Sequence, residues 1–487
     1  MTRLNQTQTP IFTGLKDYHR RNIVPFDVPG HKHGRGLREF TEHVGSTMME
    51  IDVNSMKCLD NICNPIGVIR EAEELAAEAF HADNGFFLVN GTTSGIQAMV
   101  MSACRPGEKI ILSRNAHKSS ISAIILSGAI PIYVQPKINE SLGIAMGITV
   151  EDLEKTIASH PDAKAVMVIN PTYYGATSDL KEIVSLVHRH GMLVLADEAH
   201  GAHFSFHEDL PISAMEAGAD MSAVSTHKTG GSLTQSSLLL LRGDRISPTT
   251  VKKNLNLTQT TSASYLLMAS IDVARKQLAV HGKEMLERII GLGRDARKQI
   301  NEIDGLYVFG KELIGTPGVF GFDETKLGIS AAGIGLTGFE LYDLLRDQYN
   351  IQIELADYYN ILAILSLGDG EDQIETLVTA LKDIAKNHST SKIIKIKNSV
   401  LKNPEVIVSP RDAYYSNTKI ARLEEAAGEI SGEAVMAYPP GIPIIAPGER
   451  VTQEIVDYIF MLKREGSLLQ GTEDPYVNFL KVLGQRR

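Results

Sequence analysis

Short apolar segments alternate with amphipathic segments over roughly residues 66–250, and this alternation constrains the fold of the chain more than any other feature. The apolar segments include "FFLV", "KIIL", "AVMVI" and "MLVLA", and helix-like stretches such as "TSGIQAMVMSAC" and "DLKEIVSLVHRHG" lie between them. This alternation is typical of an α/β protein with a mostly parallel sheet covered by helices. Because ligands of such sheets bind at the carboxyl ends of the strands, we expect chemistry in the turns that follow the strands.

The rest of the pattern divides the 487-residue chain into four predicted parts. Residues 1–60 are rich in glycine, histidine and proline, and are predicted to form an irregular N-terminal arm. Residues 61–310 form the large domain, and residues 311–390 a small α+β domain. Residues 391–487 form a C-terminal domain, in which the prolines of "YPPGIPIIAPGE" predict a loop or an edge strand because proline has no N–H to donate.

Charge and composition exclude several classes of function. The net charge of −10 disfavours a nucleic acid as partner, since proteins that bind nucleic acids concentrate positive charge. No apolar run approaches the roughly 20 residues that span a bilayer, and the first residues do not resemble a signal peptide, so we expect a cytoplasmic protein without a membrane partner. The three cysteines are consistent with a reducing compartment. His200, His203 and His207 in "HGAHFSFH" form no ligand triad with a general base, so no metal is expected.

Two motifs resemble sites of other enzyme classes. "LVLADEAH" resembles the acidic strand end of a helicase, but the chain has no glycine-rich phosphate loop that ends in Lys-Ser or Lys-Thr. "GIGLTG" (333–338) matches the glycine pattern of dinucleotide binding, and it leaves open a nicotinamide-dependent dehydrogenase. The surrounding unit has too few predicted strands for a complete dinucleotide fold, which favours a tight strand-to-helix turn.

Polar side chains follow the predicted strands in an order that suits a single cofactor. These side chains are Thr92, Thr93 and Ser94 in "NGTTSG", His117 in "SRNAHKS", Tyr173 in "NPTYY", Asp197 in "LADEAH", and Ser225, His227 and Lys228 in "STHKTGG". A lysine in a polar loop is usually a solvated charge, and an aspartate at a strand end is usually a helix cap. The joint order is more specific than any one residue.

Pyridoxal phosphate needs each of these groups. Its aldehyde requires a lysine, for which Lys228 is the candidate, and its pyridine nitrogen requires a carboxylate, for which Asp197 is the candidate. Its phosphate requires many donors, which the "NGTTSG" turn and Ser225 and His227 can provide. His117 is the candidate for stacking on the ring, and Tyr173 for bordering the pocket.

Several motifs resemble the Orn/Lys/Arg decarboxylase family of fold type I pyridoxal phosphate enzymes, whose large domain is aspartate aminotransferase-like. They are "PGHKHG", "FFLVNGTTSGIQAM", "RNAHKS", "NPTYYG", "DEAHG", "STHKTGGSLTQSS", "TQTTSASY" and "YPPGIPIIAPGE". The resemblance runs from about residue 10 to the C-terminus, and it is strongest to the short bacterial arginine decarboxylases. It implies decarboxylation of a basic amino acid, with arginine, converted to agmatine for polyamine biosynthesis, favoured over lysine or ornithine. An aminotransferase that uses Arg411 for the substrate carboxylate is a more remote alternative.

The resemblance also assigns roles to individual residues. Lys228 binds the cofactor aldehyde, Asp197 holds the pyridine nitrogen, and His117 and Ala199 lie on opposite faces of the ring. The implied phosphate ligands are Thr92, Thr93, Ser225 and His227. Ser94 and His200 are further candidates for binding the cofactor, and Thr261 matches a residue that reaches the phosphate of a neighbouring subunit. The last assignment implies a homodimer or a larger homo-oligomer with shared active sites.

The substrate end of the site is less determined by the sequence. After loss of carbon dioxide, a proton returns to the α-carbon from Lys228 or His227, and Asp357 or Glu449 is a candidate partner for the basic end of the substrate. Family members often have "LDDLHxP" where this chain has "LDNICNP" (59–65), so Asn61 and Cys63 replace an acid and a histidine. If this segment borders the substrate, the departure bears on specificity.

Overall fold

The computed structural model describes residues 4–388, 403–438 and 441–484. The chain divides into two compact units, one built from residues 1–102 and 196–286 and the other from residues 103–195 and 287–487. The predicted start of the C-terminal domain at residue 391 lies outside the described residues. Within the described part, no helix is long and apolar enough to cross a membrane.

The first stretch of the first unit contains more helix than the sequence analysis predicts. Its elements are α1 (Pro10–Arg20), α2 (Arg38–Val44), α3 (Ser46–Glu50), α4 (Val68–Ala79), β1 (Asn84–Leu88) and α5 (Gly91–Ala103). The prediction that residues 1–60 are irregular is therefore wrong for three segments. Pro10 occupies the first turn of α1, where its missing N–H costs nothing. Ile11, Leu15 and Tyr18, spaced by four and three residues, are buried on one face of that helix.

The second unit begins with the predicted alternation of strands and helices. Its elements are β2 (Lys109–Ser113), α6 (Lys118–Ser127), β3 (Ile130–Val134), β4 (Ile138–Asn139), β5 (Ile144–Ala145), α7 (Val150–Ser159), β6 (Ala165–Ile169), β7 (Ala176–Thr177), α8 (Leu180–Arg189) and β8 (Leu193–Asp197). Strand β2 pairs in parallel with both β3 and β6, so that Ile111 lies opposite Ile132 and Val166. This parallel arrangement aligns the carboxyl ends of the three strands.

The chain then returns to the first unit. The elements that follow are α9 (Ala214–Ala217), β9 (Met221–Val224), α10 (Thr226–Thr229), β10 (Ser237–Leu241), α11 (Pro248–Thr258) and the long helix α12 (Tyr265–Asn301). Strand β10 runs antiparallel to both β1 and β9, with Leu239 opposite Phe86 and Ala223. All residues of β10 are buried, and the four that follow Ser237 are leucines. Apolar and polar residues therefore do not alternate along this strand, as expected where both faces of a sheet are covered.

The second unit continues with a four-stranded antiparallel sheet in the order β11-β13-β15-β14. The elements of this region are β11 (Tyr307–Phe309), β12 (Gly321–Phe322), β13 (Lys326–Ser330), α13 (Gly338–Tyr349), β14 (Leu355–Ala356), β15 (Asn360–Ile364) and α14 (Glu371–His388). Residues such as Ile329, Leu345 and Leu381 form one buried cluster between the sheet and its helices. This region therefore contains both strands and helices, as predicted for the small α+β part.

The "GIGLTG" segment is a tight turn before α13, as the sequence favoured. Thr337 caps α13, and its hydroxyl and the carboxylate of Glu340 form a reciprocal capping box. A Cβ atom at Gly333 would lie 2.5 Å from the carbonyl oxygen of Gly305, and one at Gly338 would lie 2.3 Å from the carbonyl oxygen of Asn360. Close packing against the backbone therefore explains these glycines without a dinucleotide.

The remaining elements lie after residue 403. They are α15 (Pro410–Tyr415), β16 (Thr418–Arg422), β17 (Val435–Tyr438), β18 (Ile442–Ile445), α16 (Gln453–Arg464), β19 (Leu468–Gln470) and β20 (Phe479–Leu483). Strand β17 lies between β18 and β19, so β18, which contains Pro443, is an edge strand as predicted. Pro439 and Pro440 of the same motif lie outside the described residues.

Candidate active site

Lys228 is part of a compact polar group in the first unit. It lies in the four-residue helix α10, directly after the buried strand β9, and it is half-buried. Its Nζ atom is 2.9 Å from Nε2 of His200, which is buried. The neighbouring His227 donates from Nδ1 to the carbonyl oxygen of Ser236 at 2.8 Å, so Nδ1 carries a proton. Lys228 is thus not a solvated surface charge.

Asp197 lies at the carboxyl end of β8 with only 6% of its surface exposed. Its Oδ1 atom accepts a hydrogen bond of 3.2 Å from the backbone N–H of Ala199. Burial raises the pKa of Asp197, and the charge of Lys228 opposes this shift. Asp197 is thus a buried carboxyl within electrostatic reach of the Lys228 amine, and the roles of both residues toward a cofactor stay predictions.

Hydroxyl groups cluster where α5 begins. The Thr92 hydroxyl is hydrogen-bonded to the Ser225 hydroxyl and donates to Oγ of Ser237 at 2.9 Å. The backbone N–H groups in the first turn of a helix have no partner inside that helix, so this turn suits an anion. Gly95 lets α5 pack close to β1, since a Cβ atom there would lie 2.8 Å from Cδ1 of Leu88.

Four more predicted residues of the first unit lie on its loops or at helix starts. Ser94 is buried and donates from Oγ to the carbonyl oxygen of Gly91 at 2.9 Å, whereas Thr93 is exposed. Ala199 is half-buried, two residues after Asp197. Thr261 is exposed in the connection between α11 and α12. The first unit therefore brings together Asp197, His200 and Lys228, and separately Thr92 and Ser225.

His117 belongs to the second unit, where it is the N-cap residue of α6. Its Nδ1 atom accepts a hydrogen bond of 3.2 Å from the backbone N–H of Ser119 and lies 2.9 Å from the Ser119 hydroxyl. The cap therefore fixes one ring nitrogen of His117 at the carboxyl end of β2. Tyr173 packs, partly buried, against an apolar cluster that includes Leu142 and Phe322.

The two carboxylates predicted to meet the substrate have internal partners in the second unit. The hydroxyl of Tyr174 donates to the carboxylate of Asp357, and the backbone N–H groups of Tyr359 and Asn360 donate to its Oδ1 atom at 2.8 Å each. Glu449 is 1% exposed and lies 3.0 Å from Nη2 of Arg114. Burial raises the pKa of both carboxyls. Their roles toward a substrate stay predictions.

Comparison with known proteins identifies the family. The profile described as "Orn/Lys/Arg decarboxylase, major domain" matches residues 9–373, and the one described as "Orn/Lys/Arg decarboxylase, C-terminal domain" matches residues 394–475. The chain belongs to the Orn/Lys/Arg decarboxylase family. It is 46% identical to the arginine decarboxylase of Bacillus subtilis (strain 168) over 487 residues, which cover 99% of each chain. It is 47% identical to the arginine decarboxylase of Halalkalibacterium halodurans over 481 residues, 98% of each chain.

The solved structures support the same fold. The lysine decarboxylase LdcF of Francisella novicida superimposes with a TM-score of 0.84 over 98% of this chain and 81% of that one, at 21% identity. The predicted fold class, an α/β large domain of the fold type I class with a small α+β region and a C-terminal extension, is confirmed. At 21% identity, this structural similarity supports the fold and not the function.

The segment that departs from the usual Orn/Lys/Arg decarboxylase pattern forms an ordered turn in the first unit. Oδ1 of Asn61 accepts a hydrogen bond of 2.8 Å from the backbone N–H of Cys63. The preceding Asp60 accepts from the backbone N–H groups of Gly67 and Ile69 where α4 begins. Asn61 thus stabilises the turn that leads into α4.

Cysteines and metal ligands add no further site. All three cysteines, Cys58, Cys63 and Cys104, are free thiols. Over residues 4–388, 403–438 and 441–484, no group of three histidine, cysteine or acidic side chains is arranged to hold a metal ion.

The sequence analysis missed two polar residues of the first unit. Glu198, 1% exposed, accepts hydrogen bonds of 2.8 Å each from the backbone N–H of Ala214 and the hydroxyl of Ser222. Burial raises its pKa to about 8. Ser237, the second missed residue, begins β10 and hydrogen-bonds to Thr92. Glu198 could have been predicted, because two consecutive acids at the end of an apolar strand are unusual. Ser237 could not, because it lies 145 residues from Thr92 in the sequence and no local pattern connects the two.

Proposed function

We propose that this chain is a pyridoxal-phosphate-dependent arginine decarboxylase that releases carbon dioxide from arginine and forms agmatine. The observation that carries the proposal is the placement of Lys228 beside His200 and within electrostatic reach of the buried Asp197. The substrate follows from sequence. Identity is 46–47% over nearly the whole chain to two arginine decarboxylases, against 21% to a lysine decarboxylase structure.

The residues of the first unit fit pyridoxal phosphate in their chemistry. Lys228 offers an amine next to an imidazole, and that arrangement suits an amine that must exchange protons. Asp197 offers a carboxylate whose burial strengthens its attraction for a protonated ring nitrogen. The first turn of α5 offers backbone N–H donors to a phosphate dianion, and the hydroxyls of Thr92 and Ser225, which hydrogen-bond to each other there, would rotate to donate to it.

When bound, pyridoxal phosphate supplies a conjugated ring that accepts the electrons of the bond between the α-carbon and the carboxylate. The tasks of the chain are to hold this group and to manage protons. Lys228 would hold the aldehyde carbon, and Asp197 would keep the ring nitrogen protonated. Lys228 or His227 would return a proton to the α-carbon. His117 and Ala199 would fix the ring plane, while Thr92, Thr93, Ser94, Ser225, His227 and His200 would complete the cofactor site.

The finer parts of the proposal rest on the family resemblance. The enzyme would act in the cytoplasm, in polyamine biosynthesis, as a homodimer or larger homo-oligomer. The exposed position of Thr261 is compatible with a contact to the phosphate of a neighbouring subunit. Arg411, which the aminotransferase alternative requires, instead donates to the carbonyl oxygen of Leu126 at 3.0 Å in the second unit. The division into parts at residues 60, 310 and 390 also remains a proposal.

The experiment that tests the proposal is covalent mapping of the cofactor. We expect the purified protein with pyridoxal phosphate to show a visible absorption band, and borohydride reduction followed by peptide mapping to attach the cofactor to Lys228. Lys228→Ala should lose both the attachment and the release of carbon dioxide from arginine. Lys253→Ala, which removes an exposed lysine of the same unit, should keep both. Attachment at another lysine, or no attachment, would overturn the proposal.

A further inference from the structure

We propose that the C-terminal part of the chain positions His117 through a brace that holds α6 at both ends. The brace is defined by three contacts within the second unit: Lys118 with Gly441, Arg114 with Glu449, and Leu126 with Arg411. The inference rests on the proposed function in one respect, the packing of His117 on the cofactor ring. It assigns Arg114 and Glu449 as positioning residues.

The first contact fixes the start of α6. The backbone N–H of Lys118, the first residue of the helix, donates to the carbonyl oxygen of Gly441 at 3.0 Å. His117 immediately precedes it as the N-cap residue. Because first-turn N–H groups have no partner inside the helix, the Gly441 carbonyl satisfies a donor that the helix itself leaves open. The direction in which α6 begins is thereby tied to the strand β18 that Gly441 precedes.

The second contact is a buried ion pair three residues before His117. Nη2 of Arg114 lies 3.0 Å from Oε2 of Glu449 and donates to the carbonyl oxygen of Ile444 at 3.1 Å. Arg114 is 9% exposed and Glu449 1% exposed. The guanidinium also lies 4.8 Å from the ring centre of Tyr133 on β3. Removal of one charge would leave the other buried without its partner, so the two segments are strongly tied.

Glu449 is itself held from the backbone. Its Oε2 atom accepts a hydrogen bond of 2.7 Å from the N–H of Ala446, three residues earlier. The carboxylate therefore closes a turn that follows β18, and the same oxygen accepts from Arg114. This geometry orients the Glu449 carboxylate toward Arg114. The carboxylate therefore has a structural role that does not require a substrate.

The third contact fixes the other end of α6. Nη1 of Arg411, in the first turn of α15, donates to the carbonyl oxygen of Leu126 at 3.0 Å. Leu126 lies in the last turn of α6, where carbonyl groups have no partner inside the helix. Both ends of α6 and the loop before it thus depend on residues after 403, none of which carries a proposed role toward the cofactor. The C-terminal part acts on the site through His117.

The test compares Glu449→Gln with Glu405→Gln, a control in the exposed ion pair with Arg450. In the holoenzyme without substrate, we expect Glu449→Gln to weaken the induced circular dichroism of the cofactor band. It should lower kcat roughly 10- to 100-fold, with little change in KM for arginine. Glu405→Gln should match the wild type. A raised KM with unchanged kcat and circular dichroism would overturn the proposal and return Glu449 to a substrate role.

A second readout separates the brace from the proposed function. In protein freed of cofactor, we expect the rate at which diethyl pyrocarbonate modifies His117, followed by mass spectrometry, to rise several-fold in Glu449→Gln and stay unchanged in Glu405→Gln. An unchanged rate in Glu449→Gln would refute the brace even if the enzyme proves to be a decarboxylase. If Glu449→Gln does not fold, Arg411→Gln tests the exposed end of the brace by the same two measurements, and an unchanged His117 there refutes it equally.

Discussion

At the scale of single residues, Asp197 and Glu198 are consecutive carboxyls at the end of β8 that have different partners and different protonation states. Asp197 interacts with the amine of Lys228, whereas Glu198 accepts from Ala214 and Ser222 and is fully surrounded by protein. Burial without a cation raises the pKa of Glu198 to about 8, so this carboxyl is mainly protonated at pH 7. Burial raises the pKa of Asp197 as well, but the charge of Lys228 opposes this shift and favours the charged form.

This contrast predicts opposite outcomes for two isosteric substitutions. Asp197→Asn removes the charge proposed to hold the ring nitrogen, and we expect kcat to fall about 100- to 1,000-fold. Glu198→Gln replaces a neutral carboxyl by a neutral amide that can still accept from Ala214, and we expect activity at pH 7 close to the wild type. Steady-state decarboxylation of arginine measures both. Equal loss in the two variants would contradict the separate roles.

The sequence predicts residues of the proposed site at positions where a polar side chain follows an apolar strand. Lys228 and Asp197 are predicted in this way, and the structure places them within electrostatic reach of one another. Glu449 is predicted as a substrate partner because a basic substrate needs a carboxylate, and that role stays a prediction. Its ion pair with Arg114, 335 residues earlier, was not predicted, because no local pattern encodes such a pair. Ser237 was missed for the same reason. Long-range hydrogen bonds between side chains are set by the fold and leave no periodic signal.

At the element scale, α4 carries a buried acid against β1. Glu73 is 2% exposed and accepts a hydrogen bond of 3.2 Å from the backbone N–H of Phe87. Burial raises its pKa from 4.5 to about 7, and Lys252 opposes this shift. Between these two pH values the native state binds more protons than the unfolded chain. Stability attributable to Glu73 therefore falls as pH rises from about 4.5 to about 7.

Glu73→Gln should remove this penalty while keeping the acceptor for Phe87. Relative to the wild type, we expect the variant to gain stability with rising pH, by up to about 3 kcal/mol above pH 7. Thermal unfolding at pH 5 and pH 8 measures the difference. Glu74→Gln, which alters an exposed pair with Arg70 on the same helix, should show no comparable gain. A gain for Glu73→Gln that is equal at both pH values would contradict the assignment.

Helices and strands were predictable from the sequence where their apolar residues follow the period of the element that forms. The alternation after residue 66 follows from periodicity, and the edge position of β18 follows from proline chemistry. The helices before residue 60 were missed because the motif "PGHKHG" and its neighbouring glycines favoured an irregular segment, although Ile11, Leu15 and Tyr18 have helical spacing. The antiparallel direction of β10 was not predictable, because a run of leucines fits either direction.

At the scale of the whole molecule, the proposal of shared active sites predicts an obligate oligomer. One chain has a mass of 53.2 kDa, and we expect light scattering of the active enzyme to give at least twice that value. Thr261→Asp, which places a negative charge at an exposed position, should lower the affinity for pyridoxal phosphate if this residue reaches the phosphate of a neighbouring subunit. A fully active monomer would contradict shared sites.

The most direct test of the central claim is the choice of substrate. The purified enzyme with pyridoxal phosphate should be supplied in turn with arginine, lysine and ornithine, while released carbon dioxide is trapped and the amine product is identified by mass spectrometry. We expect agmatine from arginine, with kcat/KM at least about 100-fold above that for either other amino acid. Preference for lysine or ornithine would contradict the substrate, and formation of a keto acid without carbon dioxide would contradict the reaction.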